Sequence, residues 1–138
     1  SPKNILVSND SLKILDAECA HYGDPAFDIA FCLNHLLLKS LWKKNHSNEF
    51  LELFNVMKNS YFKNVNWENL QDLERRVTRI MGGLLIGRID GKSPVEYLSY
   101  KNYKKMVKDI AKIILNQNLK ELDALSELWE IRLKKIKS

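Results

Sequence analysis

The chain has 138 residues, of which 45% are hydrophobic and 28% are charged, and its formal net charge is +5. These values are ordinary for a folded domain that is large enough to bury a core. No apolar run approaches the roughly 18 residues that a membrane span needs, and no signal-peptide pattern is visible in the given residues. We therefore expect a globular protein without a membrane partner.

The positive charge is concentrated at the C-terminal end. Residues 1–100 carry 12 basic and 12 acidic side chains, whereas residues 101–138 carry 10 basic and 5 acidic ones. In the second part, lysines recur at helical spacing beside an apolar stripe, at Lys104, Lys105, Lys108 and Lys112. Aromatic residues are not interleaved with them, as a stacking surface for single strands would require. This pattern predicts a solvated helix face and no nucleic-acid partner.

The first strand-like runs are residues 4–7 and 12–15, and the turn-forming residues 8–11 lie between them. A hairpin is the natural prediction. Antiparallel strands would bring Asn4 and Asp16 together at its open end, where their oxygens are plausible ligands for Mg²⁺. From the residues alone, the favoured interpretation is that the two side chains are only polar groups at a hairpin end.

Three further carboxylates follow the predicted hairpin. Glu18 would point to the same face as Asp16 if the strand continued, either assisting a metal site or lying in solvent. Asp24, Pro25 and Asp28 have the spacing of a helix start, with Asp24 as the N-cap and Asp28 in the first turn.

The rest of the sequence has the apolar periodicity of helices. Gly82 and Gly83 interrupt one of them and predict close helix packing or a kink, since each costs about 1 kcal/mol relative to Ala. Residues 95–98 should begin a further short helix after a turn at residues 90–94. The fold class predicted is mainly α with one small N-terminal β-hairpin, and the predicted long helices span residues 25–44, 47–64, 67–88, 103–116 and 119–137.

Two cysteines, Cys19 and Cys32, have no metal-type spacing and no disulfide framework. Both are interpreted as plain buried thiols. A reduced, cytoplasmic location follows as the expectation.

The early motifs resemble the aminoglycoside phosphotransferase-like family, small-molecule kinases with a protein-kinase-like fold. Asn4 matches the Asn of the family's catalytic loop, and Asp16 matches the second metal ligand, the counterpart of the Asp in the kinase Asp-Phe-Gly motif. The stretches that carry the resemblance are residues 1–6, 14–18, 23–30 and, more weakly, 87–98.

The resemblance implies an ATP-dependent or GTP-dependent transfer of phosphate to a hydroxyl of a small molecule, such as an aminoglycoside, choline or a sugar. Asn4 and Asp16 would hold Mg²⁺, and Asp28 would brace the catalytic loop. Arg88, Asp90, Lys92 and Glu96 would lie near the substrate cleft, although a plain loop explains them as well.

The family's catalytic Asp is expected two residues before Ser1, and its nucleotide lobe earlier still. We therefore expect residues 1–138 to be a single domain and a fragment of a larger kinase, inactive by itself. Residues 1–18 would form the end of the catalytic loop and the metal-binding hairpin, and residues 24–138 the helical subdomain of the C-terminal lobe. The alternative is a non-catalytic helical interaction module; substrate and oligomeric state are left open.

Overall fold

The computed structural model of the chain describes residues 2–9, 11–18 and 20–137. An antiparallel hairpin of β1 (Ile5–Ser8) and β2 (Ser11–Ile14) precedes five helices, which confirms the predicted mainly α class. Two short 3₁₀ turns, Pro2–Asn4 and Lys44–His46, flank β1 and α2. The helices are α1 (Ala26–Trp42), α2 (Ser47–Lys63), α3 (Leu70–Asp90), α4 (Lys101–Asn116) and α5 (Leu122–Lys137).

The central helix is α1, which packs against both α2 and α3. Apolar side chains on several of its sides are fully buried, among them Leu33, Leu37 and Leu41. It starts at Ala26, one residue after the predicted Pro25, and the Asp24 carboxylate accepts a hydrogen bond from the Ala26 N–H at 3.0 Å. This bond satisfies one of the backbone donors that a helix start leaves without a partner.

The close packing predicted at the glycine pair occurs at only one of the two residues. A Cβ on Gly82 would lie 3.0 Å from side-chain atoms of Ile114 and Leu115 on α4, whereas a Cβ on Gly83 would meet nothing within 4 Å. Gly82 therefore lets α3 and α4 approach closely, while Gly83 faces open space.

The last helix is fastened to three others. The Leu122 N–H at its start donates to Glu74 of α3 at 2.9 Å, and Asp123 forms an ion pair with Lys58 of α2. Farther along, the fully buried Trp129 donates its indole N–H to Ser40 of α1 at 3.0 Å. Trp129 therefore packs α5 against α1.

The prediction of a short helix at residues 95–98 is wrong. Residues 91–100 form an irregular connection in which Val95 and Leu98 are buried as single anchors. The Val95 N–H donates to the Arg88 carbonyl at 2.8 Å, so this connection folds back onto the end of α3. Four residues after a proline-containing turn are too few to repay the nucleation of a separate helix.

Helix boundaries differ by up to three residues from those predicted, because capping decides them. The Asn69 side chain accepts hydrogen bonds from the N–H groups of Gln71 and Asp72, at 2.9 and 3.1 Å, which starts α3 at Leu70 rather than Trp67. After α4, Asn118 adopts a left-handed conformation with φ of 54°, and the Leu119 N–H bonds back to the Ile114 carbonyl. This turn delays the start of α5 to Leu122.

Cys32 is a free, half-buried thiol, and burial raises its pKa. Cys19 lies outside the described residues, as do Ser1 and Asp10 of the predicted loop and turn. Within the described ranges, no helix is both long enough and apolar enough to cross a bilayer.

Candidate functional site

The hairpin register brings the two predicted metal ligands together. Ile5 pairs with Ile14, and the Leu15 N–H extends the ladder by donating to the Asn4 carbonyl at 2.8 Å. One residue beyond, the Asn4 side-chain amide donates to the Asp16 carboxylate at 2.7 Å. The predicted proximity of Asn4 and Asp16 is therefore confirmed.

Asp16 has an unusual backbone, with φ of 63° in the left-handed region. Asp is one of the few residues other than Gly that enter this region at modest cost. The turn ends the strand, since β2 stops at Ile14 and residues 15–18 are not extended further. Strand alternation therefore no longer places Glu18 on the same face as Asp16. The supporting role of Glu18 at the metal site stays a prediction without geometric support.

The oxygens of Asn4 and Asp16 fit a magnesium ion by their chemistry. Mg²⁺ prefers hard oxygen ligands, keeps several waters, and usually takes one or two side chains together with substrate phosphates. Asp16 is exposed at the surface, and Asn4 is partly exposed. Over the described part of the chain, no group of three or more His, Cys, Asp or Glu side chains forms a metal cage. The pair thus suits an ion shared with a ligand rather than one enclosed by protein.

Asp24 forms structural contacts with two other elements. Arg76 of α3 donates to both of its carboxylate oxygens, at 2.9 and 3.2 Å, and also to Glu68 at 2.7 Å. The hydrogen bond from Arg76 and that from the Ala26 N–H hold the pKa of Asp24 below its usual value. These contacts tie the start of α1 to α3, and supporting the metal pair is a separate role that stays a prediction.

Asp28 lies exposed in the first turn of α1. Its negative charge acts on the Cys32 thiol and on the Tyr61 hydroxyl, raising the pKa of each in addition to the larger effect of burial. Among the residues that the structure describes, no hydrogen bond joins its carboxylate to the backbone around Asn4. The bracing role that the resemblance implies stays a prediction.

Of the four residues predicted near a substrate cleft, only Arg88 joins a cluster of side chains. Its guanidinium donates to the Ser93 carbonyl at 2.8 Å and to His35 Nε2 at 3.2 Å, and it lies 5.2 Å from the Phe31 ring centroid. Asp90 instead pairs with Lys108 at 3.2 Å, and Lys92 and Glu96 are exposed.

The partner of Arg88, His35 on α1, is a functional candidate that the sequence analysis did not single out. Burial, together with the positive charges of Arg88, Lys39 and Lys3, lowers the pKa of His35 to about 4. The neutral imidazole accepts the Arg88 hydrogen bond at Nε2, so its proton is on Nδ1. The two residues are 53 positions apart, and no local pattern signals the pairing.

The described residues line two surface cavities of a size to hold a ligand, and neither was predicted. The first, here called the apolar groove, has a volume of about 660 Å³ and lies between the start of the chain, α1 and α2. Its lining includes Ile5, Leu36, Leu53, Val56, Met57 and Trp67. The second, of about 710 Å³, lies at the C-terminal end of α1. Both combine side chains from separate stretches, which periodicity in one stretch cannot reveal.

Comparison of the chain with protein-family models, curated proteins and solved structures gave no significant match. The resemblance to the kinase family therefore rests on the quoted sequence motifs.

Proposed function

We propose that this chain is the C-terminal part of an ATP-dependent phosphotransferase that phosphorylates a hydroxyl of a small molecule. The observation that carries the proposal is the 2.7 Å contact between Asn4 and Asp16 at the open end of the hairpin. Phosphotransfer of this kind requires a metal site built from oxygen-bearing side chains. Asn4 and Asp16 are the residues that match the metal-site motifs of the kinases.

In phosphoryl transfer the protein mainly positions the reacting groups and neutralises charge. A bound Mg²⁺ would neutralise negative charge on the nucleotide phosphates. Asp16 would supply the anionic oxygen, and Asn4 would supply a neutral one while its amide fixes the orientation of the Asp16 carboxylate. The Asp24–Arg76 ion pair would hold the start of α1 against α3.

A titration with Mn²⁺ in the presence of ATP tests the metal pair directly, since Mn²⁺ replaces Mg²⁺ and broadens nearby NMR signals. We expect selective broadening of the amide signals of Asn4, Ile5 and Asp16. Asp16→Asn removes the charge but tolerates the left-handed backbone, so it should abolish the broadening without unfolding the turn. Glu52→Gln, which removes an exposed carboxylate on α2, is the matched control and should leave it intact.

Equal broadening in the wild type and in Asp16→Asn would refute the metal assignment. The catalytic part of the proposal has its own test, which is the coding sequence immediately upstream of Ser1. An Asp codon two positions before Ser1 would direct phosphotransfer assays with a panel of small alcohols to the longer protein. Any other residue at that position would refute catalysis.

The apolar groove favours a second candidate, a helical interaction module without catalysis. Leu53, Val56 and Trp67 line this groove and are each about half exposed or more, at 50%, 57% and 55%. Contiguous apolar surface of this kind often marks a protein contact. A Val56→Asp variant that abolishes binding of a partner, while Mn²⁺ broadening at Asn4 persists, would favour this candidate.

A further inference from the structure

The second cavity, here called the aromatic–basic pocket, is lined by aromatic side chains and cations from two stretches of the chain, residues 42–46 and 97–103. Its main wall residues are Trp42, Lys43, Lys44, Tyr97, Tyr100 and Tyr103. No carboxylate is among the described residues that line it. The pocket therefore differs in charge from the hairpin, where the candidate metal site presents the Asp16 carboxylate.

The aromatic rings form two pairs. Trp42 and Tyr97 lie with their centroids 4.9 Å apart and an interplanar angle of 32°, and Tyr100 and Tyr103 lie 5.3 Å apart at 64°. Trp42 and Tyr100 keep 45% and 67% of their surface exposed. The Trp42 ring is covered by Tyr97 and by Lys43, so the exposed ring of Tyr100, whose motion Tyr103 restricts, is the one available to a planar ligand.

Both lysines rest on rings rather than on carboxylates. Lys43 Nζ lies 4.1 Å from the Trp42 centroid, and Lys44 Nζ lies 5.1 Å from the Tyr103 centroid. Glu49, which follows at the start of α2, is already engaged by His46 at 2.6 Å. The two ammonium groups therefore keep donors for an incoming anion.

We propose that the aromatic–basic pocket binds a free mononucleotide, with the base stacked on Tyr100 beside Trp42 and the phosphate held by Lys43 and Lys44. Stacking on an aromatic face combined with cationic contacts to phosphate is the general chemistry of such recognition. A cavity of about 710 Å³ is of the size that encloses one small ligand. The rings surround one cavity instead of following a groove, which favours a single nucleotide over a strand.

This site is separate from the candidate magnesium pair, and the inference does not depend on the proposed kinase activity. The aromatic–basic pocket begins at Trp42, the last residue of α1. The start of the chain instead meets α1 near Cys32 and Leu36, where Pro2 and Ile5 line the apolar groove. At 1.5 Å of rise per residue, Trp42 lies roughly 9 Å along the helix from Leu36.

Calorimetric titration of the 138-residue chain without added metal, using AMP, adenosine and inorganic phosphate, tests the inference. We expect AMP to bind at least about tenfold more tightly than either fragment, because only AMP engages both the rings and the lysines. Its binding should shift the NMR signal of the Trp42 indole N–H and weaken as salt is raised. Equal affinity for the three probes, or no shift at Trp42, would overturn the inference.

Variants of exposed residues locate the binding. Tyr100→Ser and the double variant Lys43→Gln/Lys44→Gln should each weaken AMP binding by about tenfold. The double variant Lys63→Gln/Lys112→Gln removes the same charge from exposed positions elsewhere and should bind AMP normally.

Two other results would assign the nucleotide differently. Loss of AMP binding in Asp16→Asn, with normal binding in the pocket variants, would assign it to the hairpin and overturn the inference. Tighter binding of a short oligoadenylate than of AMP would identify single-stranded RNA as the ligand. It would also overturn the inference that the pocket binds a free mononucleotide.

Discussion

The hairpin exposes most of its apolar side chains to solvent, whereas the helices bury many of theirs. The register places Ile5, Val7, Leu12 and Ile14 on one face of the hairpin, and Val7 and Ile14 are 78% and 72% exposed. In the helices, residues of the same type, such as Leu33 and Leu37, are fully buried. Stability therefore resides in the helices, whereas the candidate metal pair lies on the element that contributes least to the core.

This difference has a consequence for how the chain tolerates change. An isolated two-stranded hairpin is marginally stable in water. The pairing of β1 and β2 is therefore stabilised mainly by backbone hydrogen bonds and by the turn. Substitutions in the helices should alter the free energy of unfolding. Substitutions on the hairpin should leave it nearly unchanged and act on ligand binding instead.

The largest expected effect is at Trp129. Trp129→Ala should lower the free energy of unfolding by about 3–5 kcal/mol, because it opens a cavity and leaves Ser40 without its indole donor. Urea denaturation followed by circular dichroism measures it. Leu12→Ala, a truncation on the hairpin, should cost less than about 0.5 kcal/mol. A similar cost for both variants would break the comparison between hairpin and helices.

The next effect concerns pH. His35 has its pKa lowered to about 4, so the unfolded chain binds more protons than the folded one between about pH 6.5 and 4. Stability should fall as pH falls through this window, by on the order of 3 kcal/mol in total. Asp24 contributes only at lower pH, because its stabilising charge is lost as pH falls through its lowered pKa.

Unfolding free energies at pH 7 and pH 4.5 check this prediction. His35→Gln should lower stability at pH 7 but reduce the loss on acidification. An unchanged loss in His35→Gln would show that other groups cause it.

The smallest effects distinguish the two neighbouring glycines. Gly83→Ala should raise the free energy of unfolding by about 1 kcal/mol, because the new methyl group meets nothing and Ala favours the helix. Gly82→Leu should instead lower it by about 1–3 kcal/mol, because the side chain would be forced against Ile114 and Leu115. Thermal melting of both variants provides the measurement, and a stabilised Gly82→Leu would contradict the close contact of α3 and α4.

Local features of the sequence determined most of the secondary structure. Apolar spacing located all five long helices, since burial of one face follows a period of 3.6 residues. A turn-rich segment between two apolar runs located the hairpin. The meeting of Asn4 and Asp16 followed from the hairpin, because antiparallel pairing of nearby residues needs no knowledge of the remaining chain.

Only the tertiary structure decided the contacts between residues far apart in sequence. Arg76 and Asp24 are 52 positions apart. The side chains of the aromatic–basic pocket come from the segment before α2 and from the segment after α3. Such pairings depend on how the helices pack, which the period of a single helix does not specify. The same reason explains the wrong prediction at residues 95–98, where two buried anchors, Val95 and Leu98, have helical spacing but belong to a connection held by Arg88.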